Sequence, residues 1–568
     1  MATSSFNPTS TSGIGFKLEH YVQVAYLSSL IVDVPVPFSD ILSIKELLFQ
    51  AKHVANTDDL IVNLDNGTNK FKHYLQSKKG FEINKNKTFD QVIDQAYKDF
   101  KQTSFKPKDD KFIIFTDVLT KTDSDDSIPM LEWARFSKNA ADFSKKLTLN
   151  KSKHNKYVYF KNSLELAAGK KLSADEIWKF LKCFYVKAYD YLSSAGRDKE
   201  VLKWFLKPHL NKSISPDTAL LKLLEYVQIC NQNGASITIE NVPDSLKQLF
   251  NSEESNKIGS ELKELFRKSK SLVGAIENTI DDHHLARDEY FIEIDEAIHQ
   301  YKLVMLTGDG GVGKSAVIKD YLDTAFGDDL GYISFKGDIL DKSSLAQSLS
   351  EIGVHNDIET LIGQWQHLSN LIIYIDSFEK LYESDHPEAF TELLKKVKDR
   401  QNITILATCR SYAFETLRKK FKIGISEISN IPVKPLTDQD LNKFAIAKPQ
   451  ISALLANPKL RNLLSLPYFL GQAISLAETI GNSETINEAD FKNAIWDRAI
   501  EKTGFGKLGH SQIRGLVFSK IILNRAKERQ SFIGVVQDDL PIAEELHSDG
   551  LLIKHPLLYK YAPKHDVL

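Results

Sequence analysis

Leu303-Val-Met-Leu-Thr-Gly-Asp-Gly-Gly-Val-Gly-Lys-Ser-Ala-Val-Ile-Lys-Asp-Tyr321 is the run that decides how the centre of this chain folds. Residues 303–307 form an apolar stretch of strand length, and residues 316–321 read as the opening of a helix. Between them, Gly308-Asp-Gly-Gly-Val-Gly-Lys-Ser315 matches the Gly-rich phosphate loop pattern in full, in the strand–loop–helix order that the pattern needs. In such a loop Gly308, Gly310, Gly311, Val312 and Gly313 let backbone N–H groups wrap phosphate oxygens, and the helix that opens at Ala316 adds its positive end. Lys314 is then expected to reach the β- and γ-phosphates, and Ser315 to hold Mg²⁺. The expected ligand is ATP or ADP with Mg²⁺.

Working outward, Leu371-Ile-Ile-Tyr-Ile-Asp376 is an apolar strand ending in a carboxylate, which a parallel sheet delivers to the edge beside the phosphates. Asp376 is expected to hold Mg²⁺ through water. Glu379, three residues on, either polarises the attacking water or is a solvated turn charge. Thr404-Ile-Leu-Ala-Thr-Cys-Arg410 ends in a polar step, so Arg410 either senses the γ-phosphate or makes a surface ion pair. Short apolar runs at 303–307, 331–335, 371–375 and 403–408 alternate with helical patterns, which predicts an α/β, doubly wound, mostly parallel sheet. After about residue 436 the pattern turns helical, and residues 511–568 read as a small helical domain with a terminal wing, Gly550-Leu-Leu-Ile-Lys-His-Pro-Leu-Leu-Tyr-Lys-Tyr561.

The whole chain of 568 residues is long enough for three or four domains. Its 42% hydrophobic and 26% charged content is globular, and a formal net charge of −2 announces neither nucleic acid nor membrane. Three scattered cysteines, Cys183, Cys230 and Cys409, lack metal-ligand spacing and argue against a disulfide framework. The Ser/Thr-rich start does not read as a signal peptide, and no apolar run has transmembrane length, so the expected address is the cytoplasm.

Ahead of the phosphate loop, residues 14–32 are spaced as an amphipathic helix. Strand patterns follow at 44–50, 59–64 and 71–78, the last two joined through Asp65-Asn-Gly-Thr-Asn69 as a predicted hairpin. A helix at 89–100 and a strand at 112–116 complete an α/β unit. Residues 125–255 read as mostly helical, for example 174–191 and 217–231, and 251–285 as a linker helix. An acid, Asp59, and Gln76-Ser-Lys78 on paired strands resemble the PD-(D/E)xK restriction-endonuclease core in a Gln variant. The resemblance implies that Asp59 and the Gln76 oxygen hold Mg²⁺ at a scissile phosphate. Lys78 would stabilise charge or orient water, and Glu19 on the preceding helix would be an accessory acid. Gln50-Ala-Lys52 also reads Gln-x-Lys and is taken as a decoy. The alternatives are a solvated, lysine-guarded edge strand or a non-catalytic remnant.

Five features together resemble the STAND class of P-loop ATPases, the NACHT- and AP-ATPase-like switches: Arg287-Asp-Glu289, the phosphate loop, Ile375-Asp-Ser-Phe-Glu379, Ala407-Thr-Cys-Arg410 and Leu464-Ser-Leu-Pro467. The resemblance implies that Pro467 packs near adenine from a helical lid, and that a winged-helix histidine, here His565 in Lys564-His565-Asp566, contacts the β-phosphate of ADP. With the nuclease-like start, the order resembles the antiviral STAND (Avs) defence ATPases. That order implies a homo-oligomer such as a tetramer, double-stranded DNA as substrate, and a phage or other protein as trigger, read by a C-terminal repeat sensor; here the sequence stops two residues past Asp566, so either the chain is truncated or the sensor is absent.

The expected layout is an α/β multidomain chain: nuclease-like core 1–120, helical extension 121–255, linker 256–285, P-loop domain 286–436, helical lid 437–505 and winged helix 506–568. A second reading makes the N-terminal part a non-catalytic DNA- or protein-binding module on a regulatory ATPase. A DNA-driven motor ranks last, since no helicase-type motif series follows Asp376.

Overall fold

The computed structural model describes residues 15–563 except 35–42, 53, 58, 66–69, 194–195, 327–330, 367–370, 382–385, 399, 401–402, 478–485, 502–509, 529, 531, 549–550 and 556–557. It divides into two compact units. One is Met1–Lys268 with Leu322–Tyr332 and Ile352–Leu371, and the other is Ser269–Tyr321, Ile333–Glu351 and Ile372–Leu568. The chain is an α/β multidomain protein.

In the first unit, helix α1 (Gly15–Val32) leads into β1 (Ser43–Phe49), β2 (Leu60–Asp65) and β3 (Lys70–Ser77), each antiparallel to the one before. The expected hairpin between β2 and β3 is present, while its turn at 66–69 lies outside the described residues. Helix α2 (Lys87–Phe100) then crosses over to β4 (Lys111–Thr116), which runs parallel to β3. Asn86 caps α2 by accepting from the Phe89 N–H, and the buried stripe Phe89, Val92, Ile93, Ala96 and Tyr97 recurs at helical spacing. The apolar run of β4 is buried on both faces, as a central parallel strand requires.

Two expectations fail here. Helix α1 is not amphipathic but a core helix: residues 22–30 are all buried, packed between the sheet and the helix Pro216–Asn233. Its polar members are satisfied locally, Ser28 and Ser29 donating back to the Val24 and Ala25 carbonyls. The helix expected over 174–191 ends at Lys182, and Phe184–Ala188 is β5, parallel to β4. Its Phe-Tyr-Val start packs better on a pleated surface than on a helix. With β6 (Ser236–Ile237), the six strands lie in the order β5-β4-β3-β2-β1-β6.

The second unit opens with the short hairpin β7 (Thr279–Ile280) and β8 (His283–His284). Then come β9 (Leu303–Gly308), β10 (Tyr332–Lys336), β11 (Leu371–Asp376), β12 (Ile403–Arg410) and β13 (Ile428–Pro432), ordered β10-β11-β12-β9-β13. Strands β12 and β13 both run parallel to β9, in a register that sets Arg410 level with Gly308. Strand β13 is an addition to the four expected. Next come the helices Pro458–Leu464, Pro467–Leu476 and Glu488–Ile495 around their own apolar cluster. The helices His510–Glu528 and Leu540–Ser548 follow, with an antiparallel sheet of β14 (Ile533–Gly534), β15 (Leu552–Lys554) and β16 (Lys560–Pro563) and a separate small core.

Candidate functional sites

The phosphate loop hangs between β9, buried along its whole length, and the helix Lys314–Ala325. Gly311 and Gly313 have φ of 77° and 93°, a region that an L side chain rarely adopts. At Gly308 a Cβ would stand 2.8 Å from the Val433 carbonyl oxygen, so the strand–loop junction has no room for one. Arg287, 8% exposed, clamps the loop: its guanidinium donates to the carbonyls of Val312 and Lys434 and to the Tyr290 hydroxyl.

Lys314 Nζ donates to the carbonyl oxygens of Gly308 (3.1 Å) and Asp309 (2.9 Å), so the cation is turned onto its own loop. Burial lowers its pKa, opposed by the nearby Glu379 carboxylate. Ser315 Oγ donates to Asp376 Oδ1 at 2.7 Å. Tyr374 and Thr408 donate to the same oxygen at 2.8 and 2.9 Å. A hydroxyl beside a carboxylate is the donor set that a hard, octahedral cation takes, so Ser315 and Asp376 fit Mg²⁺.

Glu379 sits in the 3₁₀ turn Phe378–Leu381, with Oε1 3.5 Å from Arg410 Nε. Burial raises its pKa, against the pull of Lys314 and Arg410, and its Oε2 is buried without a hydrogen-bond partner. Lys314, Ser315, Asp376, Glu379, Thr408 and Arg410 line one cavity of about 730 Å³. Arg287, Gly310, Gly311, Gly313, Ala316 and Pro467 line it too. Val312 is buried behind the loop. Pro467 Cγ lies 3.7 Å from where a Cβ on Gly313 would be, and the Tyr468 N–H donates to the Gly311 carbonyl. Pro563 and Ala562 line the cavity, whereas His565 lies outside the described residues.

The central domain has a P-loop NTPase fold. No protein-family model matches the chain, and no curated protein does. Among solved structures it is similar to the Walker-type ATPase of Pyrococcus abyssi, at 15% identity over 52% of this chain and 97% of that one, TM-score 0.27. It is also similar to the Aeropyrum pernix Orc1 protein in complex with DNA, at 14% over 49% and 89%, TM-score 0.27. Thermotoga maritima RuvB follows, at 16% over 51% and 99%, TM-score 0.22. At such TM-scores the likeness decides nothing, and the assignment to P-loop NTPases rests on the loop, strands and carboxylates above.

Three contributors to this P-loop site were not singled out in the sequence. Tyr374 and Thr408 are hidden inside apolar strand runs that periodicity reads only as core. Asp320, on the helix after the loop, accepts from Asn278 Nδ2 at 2.6 Å and pairs with His284 Nε2 at 2.9 Å. It thereby pins the β7–β8 hairpin, whose Thr279 and Ile280 line the cavity.

In the first unit, Leu60 pairs with Leu75, which sets Asp59 across from Gln76. The Ser77 N–H donates to Asp59 Oδ2 at 2.7 Å. Gln76 is 1% exposed; its Nε2 donates to Gln95 on α2 at 2.9 Å, while its Oε1 has no hydrogen-bond partner. An orphaned, buried carbonyl oxygen fits a hard cation. Lys78 follows β3 half-buried, its N–H bonded to the Phe115 carbonyl. Glu19, 8% exposed, accepts at Oε1 from Gln23 (3.0 Å) and Gln50 (2.7 Å), and Gln23 also donates to the Asp59 carbonyl. Gln50, read as a decoy, is therefore joined to the same network. It holds φ of 48°, a left-handed conformation uncommon for a residue with a Cβ. Short-range spacing had no means of finding this link, because α1 carries Glu19 to the end of β1.

Proposed function

We propose that this chain is a STAND-type ATP switch, related in architecture to the antiviral STAND defence ATPases, that controls an N-terminal Mg²⁺-dependent DNA endonuclease. The nucleotide reading is carried by one observation: Lys314, Ser315, Asp376, Glu379 and Arg410 line a single cavity at the phosphate loop. ATP phosphates take Lys314 away from the Gly308 and Asp309 carbonyls. Arg410, drawn toward the γ-phosphate, leaves Glu379, whose unpartnered oxygen then accepts the proton of the attacking water. Ser315 and, through water, Asp376 would hold Mg²⁺, which would supply charge neutralisation of the phosphates. ADP keeps the chain closed, with Pro467 over the loop and His565 on the β-phosphate. A phage protein or other trigger admits ATP and drives assembly of a homo-oligomer.

The endonuclease reading is supported by the order α1-β1-β2-β3-α2-β4, the Ser77 N–H donating to the Asp59 carboxylate next to Gln76, and the orphaned Gln76 oxygen. Asp59 and Gln76 would hold Mg²⁺, which would supply water activation and charge stabilisation; Lys78 steadies the charged phosphate, and Glu19 assists as an acid. The test is cleavage of linear and supercoiled double-stranded DNA by the purified chain with ATP, Mg²⁺ and a lysate of phage-infected cells. Cutting is expected in the wild type and lost in Asp59→Ala and Lys78→Ala. Cutting that survives both substitutions would refute the site. The second reading, a non-catalytic partner-binding module, is favoured by the replacement of the usual Glu by Gln76; it predicts DNA binding without cutting under any nucleotide.

A further inference from the structure

Three hydroxyls converge on one oxygen of Asp376: Ser315 from the helix after the loop, Thr408 from the neighbouring strand β12, and Tyr374 from two residues earlier on the same strand. Residues two apart on a strand share a face, so the Tyr374 ring lies alongside the Asp376 side chain. Tyr374 is wholly buried, and its phenol proton goes to the carboxylate. Three donors use up the accepting capacity of Oδ1, which leaves Oδ2 as the oxygen that Asp376 offers to the cavity it lines.

The three donors differ in what else they do. Ser315 has to serve the cation as well. Thr408 Oγ1 also accepts from the Ser377 N–H at 2.8 Å, fixing the turn after β11, where Ser377 holds φ of 59°. That turn is closely packed, since a Cβ on Gly337 would stand 2.4 Å from the Ser377 carbonyl oxygen. The Tyr374 hydroxyl also meets the Ser315 and Thr408 hydroxyls, the other two donors to the same oxygen, so all of its described polar contacts lie within this cluster. If it only filled the core, a phenylalanine would fill it as well without burying a hydroxyl.

We propose that the Tyr374 hydroxyl is a positioning group that presets the Asp376 carboxylate for a hydrated divalent cation carried in with the nucleotide. The inference rests on the nucleotide reading above. It assigns Tyr374 no contact with phosphate and no role in Mg²⁺-free binding. Its signature is therefore a loss confined to the part of nucleotide affinity that the metal supplies.

The experiment titrates a fluorescent ADP analogue into the full chain with Mg²⁺ and, separately, with EDTA, for wild type and Tyr374→Phe. In the wild type Mg²⁺ tightens binding. In Tyr374→Phe the affinity in EDTA is expected within about twofold of wild type, while the Mg²⁺-dependent tightening falls about tenfold, the worth of one hydrogen bond to a charged group. An unchanged Mg²⁺ increment in Tyr374→Phe overturns the proposal and leaves the hydroxyl as core filling. Should Tyr374→Phe lose binding in EDTA as well, 3-fluorotyrosine at position 374 keeps ring and hydroxyl and alters only donor strength. A metal increment then shifted by more than twofold supports the proposal, and an unshifted one overturns it. A wild type that binds no nucleotide in either buffer contradicts the nucleotide reading instead, so the two failures are distinct.

Discussion

Replacing Arg287 by Ala should loosen the phosphate loop before any nucleotide is present. Arg287 is 8% exposed, and its guanidinium makes three close hydrogen bonds, to the Val312 carbonyl, the Lys434 carbonyl and the Tyr290 hydroxyl, and a longer one of 3.5 Å to Glu289 Oε1. It also lies 5.1 Å from the centre of the Tyr290 ring. Hydrogen bonds from a charged donor contribute roughly 1.5–3 kcal/mol each when one partner is deleted, and such losses are not additive. Only one of the three reaches the loop itself, so local opening of residues 309–313 should become easier by about 2 kcal/mol. That is roughly a thirtyfold rise in amide exchange, since about 1.4 kcal/mol is a factor of ten. Hydrogen-exchange mass spectrometry on the nucleotide-free chain reads it directly, with peptides from the first unit as internal control. Arg287→Lys should fall between, because an ammonium cannot reproduce a planar three-way fork. Exchange in Arg287→Ala within twofold of wild type across the loop would refute the clamp.

Further outcomes follow from the same geometry. His209, fully buried between Ser255 Oγ and Gln364 Oε1 in the first unit, has its pKa pushed down to about 4 by burial. Its folded pKa lies below the ordinary 6.5, so the unfolded chain takes the proton first as pH falls. Stability present above pH 6.5 should therefore drop by about 3 kcal/mol toward pH 4, and a His209→Gln variant should show a flatter dependence in urea unfolding. Glu379→Gln should keep nucleotide binding while lowering hydrolysis at least about a hundredfold. With the Glu379 pKa raised by burial, wild-type hydrolysis should climb with pH over a range above the ordinary carboxylate value, and the substitution should remove that limb. Gln76→Glu should strengthen Mn²⁺- or Mg²⁺-dependent thermal stabilisation and lower stability without metal, because it buries a carboxylate where the orphaned amide oxygen sits.

The sequence carried the nucleotide domain well because its signals are local. A buried parallel strand reads as an unbroken apolar run, and Gly311 and Gly313 stand where the backbone needs positive φ. Asp376 and Arg410 each end a strand and Glu379 follows one, so topology alone brings them to one edge. What depends on distant partners was not legible. The Tyr374 hydroxyl looks like core until β12 and the loop helix are in place around Asp376. Gln50 meets Glu19 only after the chain between them, residues 20–49, has folded back. The stretch Phe184–Ala188 follows a capped, amphipathic helix and in sequence reads as its continuation; pairing with β4 decides it as a strand. In α1, apolar residues at helical spacing suggested a one-sided helix, but the small Ala25, Ser28 and Ser29 between them are also buried, because elements cover both sides.

Calorimetric titration of ATP and ADP into the nucleotide-free chain, beside Lys314→Ala, tests the central claim most directly. The account predicts saturable binding of about one nucleotide per chain in the wild type, tightened by Mg²⁺, and at least about a hundredfold weaker binding in Lys314→Ala. Heats indistinguishable from dilution in the wild type, or equal affinities in the two proteins, would contradict it.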